Sequence, residues 1–299
     1  MSVTRRQFLM LSSAAAALLP GRRLLFAQAP QTSFEALRGN VGIFNGKGGT
    51  IGWLSTKDAL VVIDSQFPDT AQICLDGLKQ KTGRGVDILI NTHHHGDHTG
   101  GNSVFRDAKK MVAHRNVPDL QRKAAPTGQA DQQVVATTLF DKDWSETAGG
   151  ERITAKHYGP GHTGGDCVIH FQKPNVVHMG DLLFNERHPF IDRPAGASIQ
   201  NWIKTLDAVM KEYPVDAIYI AGHAKTGLPV TGDRTLLRKQ RDYLDAVLSF
   251  TRKRIAENQS RDEITKTPAL PGFEGYMEAP PRLTLAAVLG VAYDELTAK

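Results

Sequence analysis

Six consecutive residues, His93-His94-His95-Gly96-Asp97-His98, place four imidazoles and a carboxylate directly behind the apolar run Val86 to Ile90. Neutral imidazole and carboxylate together suit zinc, and also iron, manganese or nickel. Spacing narrows the reading further. In extended backbone alternate side chains share a face, so His93 and His95 can grip one ion while His94 points away. Gly96 is then expected to let the chain turn, which brings Asp97 and His98 to a second ion beside the first. The alternatives are a solvated histidine-rich loop or a tag-like accident, and tags are terminal and monotonous. This cluster is internal, follows a strand-like run and mixes in Asp and Gly.

The segments around it alternate between strand and helix patterns. Val41 to Asn45, Thr50 to Thr56 and Ala59 to Asp64 read as an antiparallel meander, punctuated by Gly46-Lys47-Gly48-Gly49 and Lys57-Asp58. The glycines lack the Gly-Lys-Ser/Thr ending of a phosphate-binding loop and are read as a hairpin turn. Asp69 to Lys81 has the period of an amphipathic helix, with Ile73, Leu75 and Leu78 on its buried side, and Gly83 and Gly85 stop it. Val86 to Asn91 is the next strand, so the histidine cluster falls at a strand's carboxyl end, where α/β proteins tend to place chemistry. A short helix is expected after Gly100-Gly101-Asn102, a brief strand at Lys110 to Ala113, and a helix at Arg115 to Lys123. The polar stretch Ala124 to Asp131 is a candidate flap, and Val134 to Phe171 returns to strands. Ser198 can cap a helix to about Glu212 with a stripe of Ile199, Trp202, Ile203, Leu206, Val209 and Met210. Two more helices are expected, at Asp233 to Glu257 and Leu283 to Thr297, the first ending in the solvated basic run Arg252-Lys253-Arg254.

Charge is unevenly distributed along the 299 residues. Arg5, Arg6, Arg22 and Arg23 are unopposed by any acid in the first 29 residues, and the remainder holds 32 basic against 31 acidic side chains. The formal excess of +5 therefore argues for no nucleic-acid partner. Thr4-Arg5-Arg6-Gln7-Phe8-Leu9, the apolar stretch Leu9 to Leu19 and Ala27-Gln28-Ala29 read as a twin-arginine export leader over residues 1–29. A bacterial periplasmic or secreted protein is the expectation, with no stable membrane anchor, since no other stretch is long and apolar enough to span a bilayer. Residues 30–299 would then be one domain with a helical C-terminal extension from about 232 to 299. An oxidising compartment permits a disulfide between Cys74 and Cys167, but their apolar surroundings favour buried free thiols.

Three later loops each offer a metal-binding group. Gly159-Pro160-Gly161-His162-Thr163-Gly164-Gly165-Asp166 sets a histidine in a glycine-rich turn. Val176-Val177-His178-Met179-Gly180-Asp181 ends a strand on an aspartate, and Ile218-Tyr219-Ile220-Ala221-Gly222-His223 ends another on a histidine. With these motifs in this order, the chain resembles the metallo-β-lactamase superfamily over about 41–225. The resemblance implies an α/β fold, a four-layer αββα sandwich of mixed β-sheets with flanking helices and metals at one edge. It also implies that His93, His95 and His162 hold one ion, that Asp97, His98 and His223 hold a second, and that Asp181 bridges them. An aspartate at 181 resembles glyoxalase II and lactonase-like members, whereas many dedicated β-lactamases have cysteine or serine there. Flavodiiron members usually carry Glu in place of His95.

The function so implied is hydrolysis of a small-molecule ester, thioester, lactone or β-lactam carbonyl by a dinuclear zinc centre, with iron or manganese as alternative metals. Two zinc ions would share a bridging water and lower its pKa from about 15.7 to near 7. Asp97 is the candidate catalytic group, orienting that water or moving a proton. Two other classes remain open on the residues: a mononuclear iron dioxygenase acting on a persulfide, and a periplasmic metal-binding accessory protein without turnover. Thr92, Thr163 and Asp166 are candidates to orient the ligand imidazoles. His94, His114, His157, His170 and His178 read as scaffold, and His188 as a scaffold group or one that faces substrate. Specificity is expected from the loops 124–131 and 185–197 and from the helical tail.

Overall fold

A computed structural model describes residues 31–298. The segment read as an export leader lies outside the described residues. Two sheets face each other. The first contains β1 (Ser33–Arg38), β2 (Val41–Asn45), β3 (Ile51–Ser55), β4 (Leu60–Ile63), β5 (Ile88–Ile90), β6 (Lys110–His114) and β7 (Thr138–Phe140), in that spatial order. Strands β1 to β4 are antiparallel, as expected of the meander, and β4 to β7 are parallel. Helix α1 (Pro68–Thr82) supplies the β4-to-β5 crossover, followed by α2 (Gly96–Thr99) and α3 (Val117–Ala124). The edge strand β1 pairs with β2 from Ser33 to Arg38, with an irregularity in register between Ala36 and Arg38.

The second sheet uses β8 (Asp143–Ala148), β9 (Glu151–Lys156), β10 (Val168–Phe171), β11 (Val176–His178), β13 (Ile218–Ile220) and β15 (Thr231–Gly232), ordered β15-β13-β11-β10-β9-β8. A small parallel pair, β12 (Phe184–Asn185) with β14 (His223–Ala224), sits apart. Helices α4 (Ile199–Glu212), α5 (Arg234–Ala256), α6 (Arg261–Ile264) and α7 (Leu285–Thr297) complete the chain.

Four layers follow from side-chain alternation along the strands. In β4, Val61 and Ile63 point between the sheets while Leu60 and Val62 pack outward against Ala71, Cys74, Leu75 and Leu78 of α1. In the second sheet, Ile169 of β10, Val176 of β11 and Ile220 of β13 fill the same inter-sheet core. Val168, Val177 and Tyr219, on the opposite face, pack against α4, α5 and α7. Strands buried on both faces read as unbroken apolar runs, which is why their sequences lack a polar alternation.

Helix α4 begins where Ser198 was expected to cap it, the side chain accepting from Asn201 N at 3.2 Å. Ile199, Trp202, Leu206 and Val209 are buried, with Ile203 and Met210 packed at the margin. The Trp202 indole donates to Leu182 O at 2.9 Å, so its one polar atom is satisfied in the core. Along α1, Ile73 is only half-buried, and Thr70 and Ala71 take the place expected for it on the inner stripe. Cys74 and Cys167 are both buried and unpaired.

Candidate metal centre

The site lies where four strand ends from the two sheets come together. Strands β4 and β5 are parallel neighbours in one sheet, and β11 and β13 are parallel neighbours in the other. Their carboxyl ends deliver Asp64, His93 to His98, Asp181 and His223, and the loop between β9 and β10 adds His162. The chain was expected to stay extended through His93 to His95, but it bends at Thr92 to His94, and His95, with φ and ψ of −62° and 147°, leads into α2, which turns Asp97 and His98 inward. Gly96 was expected to permit that turn through its backbone freedom. It is the first residue of an ordinary helical turn, without a positive φ, and a Cβ there would meet open space. Glycine is needed elsewhere: a Cβ on Gly222 would overlap Asp181 Oδ1, and one on Gly49 would overlap the His98 ring. The Gly46–Gly49 turn thus forms part of the floor beneath His98 as well as closing the hairpin.

Three imidazole nitrogens converge. His95 Nδ1 lies 3.1 Å from His93 Nε2 and 2.9 Å from His162 Nε2. The opposite nitrogen of each ring has a partner that fixes its proton. His93 Nδ1 donates to Thr92 Oγ1 at 3.0 Å, His95 Nε2 to Asp192 Oδ2 at 2.9 Å, and His162 Nδ1 to Phe190 O at 2.7 Å. The converging nitrogens therefore present lone pairs to one another, which is repulsive unless a cation lies between them. Beside them, Asp97, His98 and His223 form a second group whose donor atoms lie within 4.8 Å of one another. His98 Nδ1 donates to Asp64 Oδ2 at 2.7 Å, which leaves Nε2 aimed inward.

Asp181 spans both groups. Its Oδ2 is 3.4 Å from His162 Nε2 and 4.0 Å from His93 Nε2, while Oδ1 is 3.0 Å from His98 Nε2 and 3.5 Å from His223 Nε2. Oδ1 is buried and, despite the His98 contact, has no aligned hydrogen bond. A buried carboxylate oxygen in that position is costly without a counter-charge. The nitrogen-rich set on one side and the mixed nitrogen and oxygen set on the other fit two borderline divalent cations such as zinc.

The titration behaviour of the metal-free residues points the same way. Burial pushes His162 down to about 3, despite the pull of Asp181, and holds His93 well below the usual imidazole value. At His223 burial opposes the charged form, but Asp181 and Asp97 outweigh it and raise the group to about 9. His98 is raised for the same reason, against the same burial. Burial also works against ionised Asp97 and Asp181, yet the neighbouring His98 and His223 keep both carboxyls below the ordinary range. His93 and His162 are held neutral, whereas His98 and His223 hold protons where cations would sit.

All seven expected residues meet here. Of the three residues expected to contact these imidazoles, Thr92 touches the His93 ring, and Thr163 and Asp166 touch none of the five. Asp166 accepts from Gly161 N and from the backbone and hydroxyl of Thr163, and so shapes the turn that carries His162. Two residues absent from the sequence reading act as the orienting acids. Asp64 also accepts from Thr92 N and Oγ1, both at 2.7 Å, and closes the apolar run 59–64 much as Asp181 closes its own. Asp192 caps the short 3-10 helix Arg193–Ala195, its side chain accepting from Ala195 N at 3.3 Å, and nothing in that local role marks its reach to His95. His178 is buried scaffold, donating to Thr50 O at 3.0 Å. His188, a candidate to face substrate, is buried away from the cleft and bonded to the Tyr243 hydroxyl at 2.7 Å.

A cleft of ≈ 280 Å³ opens over Asp97, Asp181 and His223. Its walls are Phe184, Arg187 and Phe190 from the loop after Asp181, and Arg282 and Leu283 from the C-terminal arm. No residue of 124–131, the expected flap, lines it. A larger hollow of ≈ 510 Å³ on the outer side of β8 to β10 contains none of the seven residues.

The profile of the Metallo-beta-lactamase superfamily matches residues 45–223. Metallo-beta-lactamase IND-1 of Chryseobacterium indologenes is 25% identical over 186 residues, covering 61% of this chain and 75% of that protein. Metallo-beta-lactamase type 2 of Elizabethkingia meningoseptica is 24% identical over 215 residues, 69% of this chain and 84% of that one. Among solved structures, a metallo-beta-lactamase from Pontibacter korlensis superposes with a TM-score of 0.62 at 19% identity, over 72% of this chain and 99% of its own. A double mutant of the sec-alkyl sulfatase PisA1 gives 0.70 at 18% identity, over 89% of this chain and 50% of its own.

Proposed function

The chain belongs to the metallo-β-lactamase superfamily of metal-dependent hydrolases, and from that premise we propose that it is a dinuclear zinc hydrolase of small esters, thioesters, lactones or lactams. The observation that carries the proposal is the division of Asp181, one oxygen toward His93 and His162 and the other toward His98 and His223. In this reading His93, His95 and His162 hold one zinc, Asp97, His98 and His223 hold the other, and Asp181 joins them. Bound zinc supplies an acidified water as nucleophile and Lewis-acid stabilisation of the carbonyl oxygen.

The protein's own residues do the rest. Asp64 and Asp192 lock His98 and His95 in the tautomers that turn a lone pair inward. Asp97 is about one-third exposed at the cleft floor, with Oδ2 3.1 Å from His223 Nε2. Held ionised, it can accept a hydrogen bond from a water at the cleft and so orient it. Phe184 and Phe190 exclude water from one side of the reacting carbonyl.

Metal analysis followed by a panel of chromogenic β-lactams, lactones, thioesters, esters and phosphodiesters tests the assignment. About two zinc per chain and turnover of a carbonyl substrate are expected. One iron per chain with persulfide oxidation would replace the proposal with an oxygenase. Asp97→Ala and His98→Ala are each expected to lower kcat/KM at least about 100-fold while the fold persists by circular dichroism. Full activity in a folded His98→Ala protein would contradict the two-metal scheme.

A further inference from the structure

We propose a second ligand site on this chain, for a short neutral oligosaccharide, in the hollow of ≈ 510 Å³ on the outer face of the second sheet. It shares no residue with the cleft over Asp97, so it stands apart from the hydrolase reading. Its floor follows from alternation along the strands. Ile153 and Ala155 of β9 and Ile169 and Phe171 of β10 point into the inter-sheet core, which turns Thr154 and His170 outward. Ser145 of β8 pairs with Thr154, and Thr154 pairs with His170. The three side chains therefore form a row across the sheet, on strands about 4.8 Å apart. Helix α4 covers the sheet at Val168 and ends at Glu212, where Tyr213 and Pro214 wall the hollow.

The chemistry of the row suits hydroxyl groups. Asn175 turns its Nδ2 to the Asp216 carboxylate at 2.9 Å, so its Oδ1 accepts from His170 Nε2 at 3.3 Å. The proton of this imidazole therefore sits on Nε2, and Nδ1 keeps its lone pair. Burial lowers the pKa of His170, which favours the neutral ring. His170 is 8% exposed, the Tyr213 ring stands edge-on with its centroid 4.8 Å away, and among the described residues nothing donates to Nδ1. A shielded acceptor without a donor is unfavourable, and a ligand hydroxyl supplies one. Thr154 Oγ1, in the middle of the row, is likewise without a partner among the described residues. Around them Arg152 donates to Ser145 Oγ at 3.1 Å, and Lys156 donates to Glu212 at 2.6 Å. The charges of Arg152 and Lys156 cancel those of Asp143 and Glu212, so the hollow has no net charge with which to select an ion. Donors set beside acceptors match a ligand whose hydroxyls do both, and they match neither an inorganic anion nor an apolar chain. The volume falls within the ordinary range of small-molecule sites.

Titration calorimetry of the zinc-loaded full chain with chitotriose, maltotriose and inorganic phosphate tests the site. A Kd of about 1 mM or tighter is expected for at least one trisaccharide, with no binding of phosphate. Thr154→Leu puts an apolar side chain in the middle of the row, and His170→Phe keeps a ring but removes the acceptor. Each is expected to weaken trisaccharide binding at least ten-fold, with zinc content and turnover of the chromogenic substrate unchanged. Thr154, on the open face of the sheet, serves if the His170 variant fails to fold. No binding of either trisaccharide, tighter binding of phosphate, or undiminished saccharide affinity in folded Thr154→Leu would each overturn the site. If no carbonyl substrate is hydrolysed at all, the hydrolase reading falls, and the calorimetry alone still decides whether the hollow binds a saccharide.

Discussion

Asp64 accepts three hydrogen bonds at the back of the site, from Thr92 N, Thr92 Oγ1 and His98 Nδ1. Replacing it with Asn keeps the shape but puts an amide NH2, itself a donor, where one of two accepting oxygens now orders Thr92 or His98. Asp64→Asn, and by the same reasoning Asp192→Asn at His95, are expected to weaken zinc binding about 10–100-fold, read by competition with a chromogenic chelator. Protons and metal compete for the same groups. Because His223 rests at about 9 when metal-free, zinc uptake at pH 7.5 should release protons, and apparent affinity should rise from pH 7 to 9. A pH-indicator titration measures both. The raised pKa also fixes the sign for folding of the metal-free protein. The stabilisation from charged His223 is fully present below the ordinary imidazole pKa of about 6.5 and is lost as pH climbs through the folded value.

Among the elements, α4 couples the core to the site. Trp202 is fully buried in the cluster that joins α4, α5 and α7 to the second sheet, and its ring centroid is 5.7 Å from that of His162. Trp202→Ala is expected to cost about 3–5 kcal/mol in denaturant unfolding, since it leaves a large cavity and an unpaired Leu182 carbonyl. The glycines at strand ends work differently. Gly222→Ala inserts a methyl where Asp181 Oδ1 now lies, so the expected loss is in metal content more than in secondary structure. Elemental analysis beside circular dichroism separates the two effects. The motif Ala221-Gly222-His223 therefore requires its glycine for close approach of two side-chain-bearing strand ends, whereas Gly96 inside the histidine cluster does not.

At the scale of the whole molecule, two parallel strand pairs in facing sheets point their carboxyl ends at one edge, and this arrangement assembles a site from segments more than a hundred residues apart. Cations bound only by the folded arrangement would stabilise it by mass action. Chelation is expected to lower Tm by several degrees, with recovery on adding zinc, as followed by thermal scanning. Reducing agent is expected to leave Tm unchanged, because Cys74 and Cys167 are buried and unpaired, and burial pushes the thiols above their usual pKa. None of the described helices is long and apolar enough to cross a membrane.

The sequence by itself marked the seven side chains that meet at the candidate site, because His-x-His-x-Asp-His and the later Gly-flanked His and Asp are local patterns. It also determined most of the elements, because unbroken apolar runs and 3.6-residue stripes are written in adjacent residues. Tertiary structure alone decided which acids orient the imidazoles, that His188 turns into the core toward Tyr243, and that residues 282–283 rather than 124–131 wall the cleft. The reason is physical. The seven side chains sit just beyond strand ends or in a glycine-rich turn, and that leaves a mark in the chain. Asp192 reaches His95 across 97 residues, and Arg282 reaches the site only because α7 and its arm pack back over the second sheet; nothing in the neighbouring sequence records either approach.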